Sequence, residues 1–388
     1  HLAWAAAAAR QLKGTLDVSL HDSLTNFDLV VDDLRAAVAC ITPPYPREPT
    51  GFELALALGH LCYARRFLAE GRDHLNTAIA FAPDESCAVL ALRAAARAAF
   101  AEFRGQLAYE LLVDASARAA IAGDARMAAI TLSEAAAIGG RCPALFATPL
   151  SHDQLVVMVE EARATAPADD LEVEAYLALA AAWDPVLGQG SVDLARAERA
   201  LVLARSCSDP VLISSGLDAV TGALLDQGSF KEASRVAQER MALLDDLPRH
   251  DPQVGGEVAD IFHMATESAL AAGDLHAALA GAIRAHEDST REGLPHFAAA
   301  DLVLPLALQG SFDEALHQAI VMRDGWERAG RPEAGWMAAS FYAAALAHGL
   351  RADADAYQEW WDLALQLGGG GRSKGNMFSL FVAPRVAL

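Results

Sequence analysis

Gln227-Gly228-Ser229-Phe230-Lys231-Glu232-Ala233 is followed by Ala272-Gly273-Asp274-Leu275-His276-Ala277-Ala278 and by Gln309-Gly310-Ser311-Phe312-Asp313-Glu314-Ala315. Each copy runs Gly, small polar residue, large apolar residue, two variable residues, Ala. A second Ala follows four residues on, at Ala237, Ala282 and Ala319. Gly closes one helix in the left-handed conformation, and Ser or Asp can cap the next. The paired alanines then share one face of that next helix, where a neighbour can approach closely. This pattern predicts helix hairpins stacked in an α-solenoid.

Outward from this stretch the rhythm continues. Gly190, Gly228, Gly273 and Gly310 recur at spacings of 38, 45 and 37 residues, with a weaker copy at Gly349, 39 residues further on. These periods exceed the roughly 34 residues of a tetratricopeptide repeat, which implies longer helices or connectors. The expected fold is all-α, a tetratricopeptide-like right-handed superhelix of antiparallel hairpins with a long concave recognition surface.

Towards the N-terminus, Leu2 to Leu12 and a segment capped by Ser23 or Asn26 read as two helices. Thr42 to Pro49 is a proline-rich connector; two hairpins follow between Phe52 and Ile121, and Gly123-Asp124 turns into a further helix, Ala125 to Ile138. Gly139 to Pro149 breaks the pattern. Ser151 with Gln154 reads as a capping box, and Asp184 to Ser191 as a turn. The chain divides loosely into 1–165 and 166–388. Gly368 to Gly371 is a glycine-rich loop before a last apolar helix start. The chain opens on His1 and closes within the apolar stretch Phe378 to Leu388, so both ends read as cut from something longer.

Composition narrows the function. The 388 residues carry a formal net charge of −21, which repels phosphate backbones and argues against direct nucleic-acid contact. No stretch supplies the roughly 18 uncharged apolar residues of a membrane span. Cys40, Cys62, Cys87, Cys142 and Cys207 are dispersed without a CxxC pair, as expected of reduced thiols in a cytoplasmic protein. Gly370-Gly371-Arg372-Ser373-Lys374-Gly375 has the wrong spacing for a Walker loop. His286-Glu287 lacks the second His of a zinc helix, since position 290 is Thr. No G-x-S-x-G elbow occurs. No catalytic residue, cofactor or metal is expected.

Aromatic residues gather near the C-terminus, at Trp326, Trp336, Phe341, Tyr342, Tyr357, Trp360 and Trp361, with Arg323, Arg328 and Arg331 among them. Aromatic and Arg side chains anchor ligands in concave grooves; the same residues also suit the core between the last hairpins. Arg323, Trp326, Arg328, Arg331, Trp336, Tyr342 and Trp360 are the candidate groove residues, for a protein or peptide partner or a small-molecule effector. Self-association into a homo-oligomer is a further option.

Three N-terminal phrases occur in order: His1-Leu2-Ala3-Trp4, Asp32-Asp33-Leu34-Arg35-Ala36-Ala37-Val38, and Ala69-Glu70-Gly71-Arg72-Asp73-His74-Leu75. Together they resemble the segment after the ATPase module in actinobacterial LuxR-type and AfsR-like signal-transduction regulators, related to MalT. Asp33 stands where that family has Asn, and His74 where it has Trp. The resemblance covers about residues 1 to 80. It implies a tetratricopeptide-like sensor region of a transcriptional regulator, with neighbouring ATPase and DNA-binding domains in the parent chain. A stand-alone scaffold for protein interaction is the alternative.

Overall fold

The computed structural model describes residues 1–41, 49–183, 192–288 and 294–368. The proline-rich connector, the turn after Trp183, Gly190 and the glycine-rich C-terminal loop with its Walker-like string lie outside the described residues, except Pro49 and Gly368 at their edges. Among the described residues all regular structure is helical. Helices α1 (Leu2–Gly14) and α2 (Leu20–Ala39) lead into eight hairpins: α3 (Pro49–Ala64) with α4 (Leu68–Phe81), α5 (Glu85–Ala101) with α6 (Gly105–Ile121), α7 (Ala125–Arg141) with α8 (His152–Thr165), α9 (Leu171–Ala182) with α10 (Leu194–Cys207), α11 (Pro210–Asp226) with α12 (Phe230–Met241), α13 (Pro252–Ala271) with α14 (Leu275–Glu287), α15 (Pro295–Gln309) with α16 (Phe312–Arg328), and α17 (Ala338–Leu350) with α18 (Ala354–Gly368). Each pair packs on the next, giving an α-solenoid. No helix among the described residues is long and apolar enough to cross a membrane.

The repeated phrase does what its residues predict. Gly228, Gly273 and Gly310 have φ of 76°, 80° and 90°. In each turn the glycine N–H and the next N–H fold back onto carbonyls of the preceding helix, as in Ser229 N to Leu224 O at 2.9 Å and Ser311 N to Leu306 O at 3.0 Å. Ala233, Ala237, Ala278, Ala282, Ala315 and Ala319 are all buried. The caps differ among the copies. The Asp274 carboxylate accepts from Ala277 N at 2.9 Å, as Asp124 does from Met127 N at the equivalent Gly123 turn. Ser229 and Ser311 make no such bond.

Several boundaries differ from the sequence reading. Helix α2 starts at Leu20, and Ser23 lies buried inside it, sharing a 2.8 Å hydrogen bond with Thr15. Helix α7 continues through Gly139 and Gly140, because their missing side chains make room for Leu150 and Trp183. Gly349 lies within α17, and the left-handed residue of that turn is Ala352, φ 59°. The capping box at Ser151 and Gln154 is present, with both of its hydrogen bonds.

The first helix of a pair is buried on most sides, as in α17, where Ala338 to Ala345 are all buried. The second buries one stripe, as in α12, where Ala233, Val236, Ala237, Arg240 and Met241 face inward. The first helices line the concave side. There the superhelix closes on itself, since α13 of the sixth pair packs against α5 of the second. Two glycines permit this. A Cβ on Gly255 would sit 1.8 Å from the Tyr63 hydroxyl, and one on Gly256 would sit 2.5 Å from the Phe100 ring. Arg66 Nη2 donates to Arg249 O at 3.1 Å, and His250 Nε2 meets Asp17 at 2.9 Å. Phe103 stacks 4.1 Å from Phe297, centroid to centroid. These contacts form a clasp across the concave side.

Candidate functional site

Charged residues stand singly within the apolar runs of the first helices, and the clasp gathers them. Arg93 and Arg97 on α5 face Glu134 on α7. Arg93 bonds both carboxylate oxygens, at 2.7 and 3.0 Å, and donates to the Tyr176 hydroxyl at 3.1 Å. Arg97 Nη2 reaches Glu134 at 3.2 Å, while its Nε is buried with no hydrogen-bond partner. Burial works to raise the Glu134 pKa, but the two guanidiniums outweigh it and hold the carboxyl below its ordinary value.

Beside this group lies a larger one. Arg141 at the end of α7 bonds Asp218 of α11 at 2.7 Å, Asp260 of α13 at 2.6 Å, and Glu257 of α13. Arg240 of α12 is 1% exposed and bonds Asp218, Asp260 and Glu257, each at 2.7 Å, and Ser214 at 2.9 Å. Three carboxylates thus face two guanidiniums, leaving one negative charge in surplus. Burial pushes Asp218 up to about 6 despite Arg240. It acts the same way on Glu257, but Arg141 and Arg240 bring that carboxyl down to about 2.

Further along the same side of α13, His263 Nδ1 meets Asp301 at 2.9 Å and Nε2 meets Glu267 at 3.4 Å. Burial would lower the His263 pKa, but Glu267 and Asp301 raise it to about 9. Burial takes Glu267 up to about 7. Trp336 stands edge-on to His263 at 5.3 Å and stacks on Phe297 at 5.2 Å.

Between these groups is a cavity of about 100 Å³, bounded by Ala96, Arg97, Phe100, Glu134, Arg141, Tyr176, Trp183, Ser215 and Glu257. It is apolar at Phe100 and Trp183 and charged at its margin. A second, wider cleft of about 900 Å³ opens between α8 and the α9–α10 pair, over Val156, Val159, Leu177 and Leu203.

The sequence-predicted groove residues are distributed differently. Trp326, Tyr342 and Trp360 are each 3% exposed and belong to the core between the last hairpins. Trp326 and Trp360 pack against Phe341, at 6.0 and 5.4 Å, and Tyr342 against Trp361 at 5.0 Å. Arg323 lies over the Trp360 ring at 4.8 Å and bonds Glu359; Arg331 lies over Trp326 at 5.4 Å and bonds Glu327. Arg328 bonds the Asp324 carbonyl of its own helix. Trp336 joins Phe103, Phe297 and His263 at the clasp. The interior residues Arg97, Glu134, Arg141, Asp218, Arg240, Glu257 and Asp260 were missed. Their signal is a charge inside an apolar helix, which must find a partner when buried.

The second and third N-terminal phrases meet in space. Arg35 of the second bonds both oxygens of Glu70 of the third, at 2.6 and 2.7 Å. Arg72 of the third pairs with Glu102 of the next hairpin.

The fold and its interior define an α-solenoid closed across its own concave face by apolar contacts, with a network of buried ion pairs beside them. No family model matches the chain, and no curated protein does. Among solved structures it is similar to the crystal structure of YrrB, described as a TPR protein with an unusual peptide-binding site. The identity is 19% over 60% of this chain and the whole of that one, with a TM-score of 0.33.

Proposed function

We propose that the chain is the non-catalytic sensor and interaction module of a larger ATPase-type transcriptional regulator, and that its effector or partner binds on the concave side. The interior cavity carries this reading. It joins an apolar floor to charged groups, and it presents the unpartnered Nε of Arg97. It is bounded by residues of α5, α7, α9, α11 and α13, so an occupant touches both sides of the clasp.

A volume of about 100 Å³ admits only a small polar group, whereas small-molecule sites run to roughly 300–1,000 Å³. A larger effector therefore binds better when α13 and α5 separate. Its differential affinity for the open arrangement would move the equilibrium and reposition whatever adjoins the two ends of the array. The wide cleft between α8 and α9–α10 supports a second reading, a scaffold that docks a protein partner on that surface.

The test is thermal unfolding of the chain against a panel of metabolites and short peptides, followed by tryptophan fluorescence. A ligand of the native state stabilises it by about 2.7 kcal/mol at a hundredfold excess over Kd, and the midpoint rises accordingly. Trp183 reports the interior, so Trp183→Phe removes the ligand-induced signal while the midpoint shift remains. If no compound shifts the midpoint, and the parent gene encodes no nucleotide-binding module before His1, the sensor reading fails.

A further inference from the structure

We propose that Cys62, Glu70 and His74 form a binding site for a single borderline divalent cation of the zinc class, at the crossing of α3 and α4. This site is separate from the interior cavity and independent of the sensor reading.

One ligand atom from each of the three residues lies within 4.8 Å of the others. A tetrahedral zinc ion, with bonds of about 2.0–2.3 Å, holds its ligand atoms roughly 3.3–3.6 Å apart. The trio therefore needs to close by little more than an ångström, within the reach of side-chain rotation. The donor set is one thiolate, one imidazole and one carboxylate, which suits zinc or cobalt and suits magnesium or calcium poorly. Cys62 is fully buried at the base of the site, while the Glu70 side chain is 30% exposed and His74 13%. Solvent reaches the site from the Glu70 side, which leaves the fourth position to water.

Arg35 completes the arrangement. It takes one lone pair from each Glu70 oxygen, and a carboxylate offers about four acceptor sites in all. His74 Nε2 also lies 3.4 Å from Glu70 Oε1, a contact that a cation between them would replace, and Arg35 holds the carboxylate in a fixed orientation, as outer partners hold metal ligands. Asp32 bonds Arg35 at 2.9 Å. With Cys62 as thiolate, the charges of Asp32, Arg35, Glu70, Cys62 and a dication sum to zero, so no charge is buried uncompensated.

The thiol loses its proton as the sulfur–metal bond forms, so one proton is released per ion bound near neutral pH.

The probe is cobalt(II), added to the whole chain after exhaustive treatment with a chelator. The expected result is the intense visible spectrum of four-coordinate cobalt with a thiolate-to-cobalt charge-transfer band, saturating at one ion per chain. Zinc added afterwards abolishes it stoichiometrically. Cys62→Ser loses the charge-transfer band. His74→Gln, at a partly exposed position, weakens binding about tenfold or more with the helical circular dichroism unchanged. If Cys62→Ser does not fold, the His74→Gln titration alone decides. The proposal is overturned if cobalt gives only the weak spectrum of the aqueous ion, if the band persists in Cys62→Ser, or if His74→Gln binds as tightly as the unaltered chain.

Discussion

Replacing Arg240 by Met tests whether the interior network holds the superhelix closed. Met preserves much of the volume and removes four hydrogen bonds, to Ser214, Asp218, Asp260 and Glu257. Arg141 is then the one guanidinium in the network facing Asp218, Glu257 and Asp260. Removing one partner from a buried ion pair typically costs about 3–5 kcal/mol, because the remaining charge is left uncompensated. Arg240 is 1% exposed and Asp218 3%, so solvent screening takes little off that figure. A folded domain is stable by roughly 5–15 kcal/mol, so the loss should move the urea midpoint far to the left. The control is Asp218→Asn. Asp218 carries the surplus charge, so in the Arg240→Met background its neutralisation should restore stability, with a coupling of about 0.5–3 kcal/mol between the two sites. Equilibrium urea unfolding by far-ultraviolet circular dichroism reads both quantities. A loss below about 1 kcal/mol with an unchanged urea slope, or a coupling of zero, would refute the reasoning.

The clasp itself is sensitive to one methyl group. Gly255→Ala brings a Cβ to 1.8 Å from the Tyr63 hydroxyl and should destabilise the chain by about 1–3 kcal/mol; Tyr63→Phe in the same chain should recover part of that, as measured by thermal unfolding. His263 predicts a loss of stability with alkali. Its folded pKa of about 9 lies above the unfolded 6.5, so its contribution is full below pH 6.5 and disappears as pH rises through 9. The shift corresponds to about 3 kcal/mol, and His263→Gln should flatten the midpoint-against-pH curve over that window.

Local chemistry made the hairpins legible in the sequence. Gly228, Gly273 and Gly310 need φ above zero, the alanine pairs need a close neighbour, and Asp170, Asp209 and Asp274 cap helices, all through residues near one another in the chain. The aromatic cluster was visible as a composition, but its placement depended on which helix face meets which neighbour. Trp326, Tyr342 and Trp360 fill the space between hairpins, while Trp336 joins a ring cluster with residues far away in sequence. The ion pairs were least legible. Arg141 reaches Asp260 across 119 positions, and nothing local marks the pair beyond a charge set among apolar residues.

The closure of the array follows from the same charges. An open concave face would expose Glu257, Asp260, His263 and Glu267, on one side of α13, to water at no desolvation cost. In the closed arrangement they are removed from water and need Arg141, Arg240 and Asp301 in return. Burying such a network contributes little net stability against a well-packed apolar interface, so closure rests on the apolar contacts at Gly255, Gly256 and Phe103. The ion pairs fix which helices meet and in what register. Phe103 shows the cost accepted for that fit. It holds a φ of 57°, unusual for an aromatic residue, at the turn into α6, and its ring packs against both Phe297 and Trp336. The proposed sensor role requires that this clasp, made of small apolar contacts and a charge network of low net worth, have two arrangements close in free energy. That is the property a concave-face effector requires in order to select one of them.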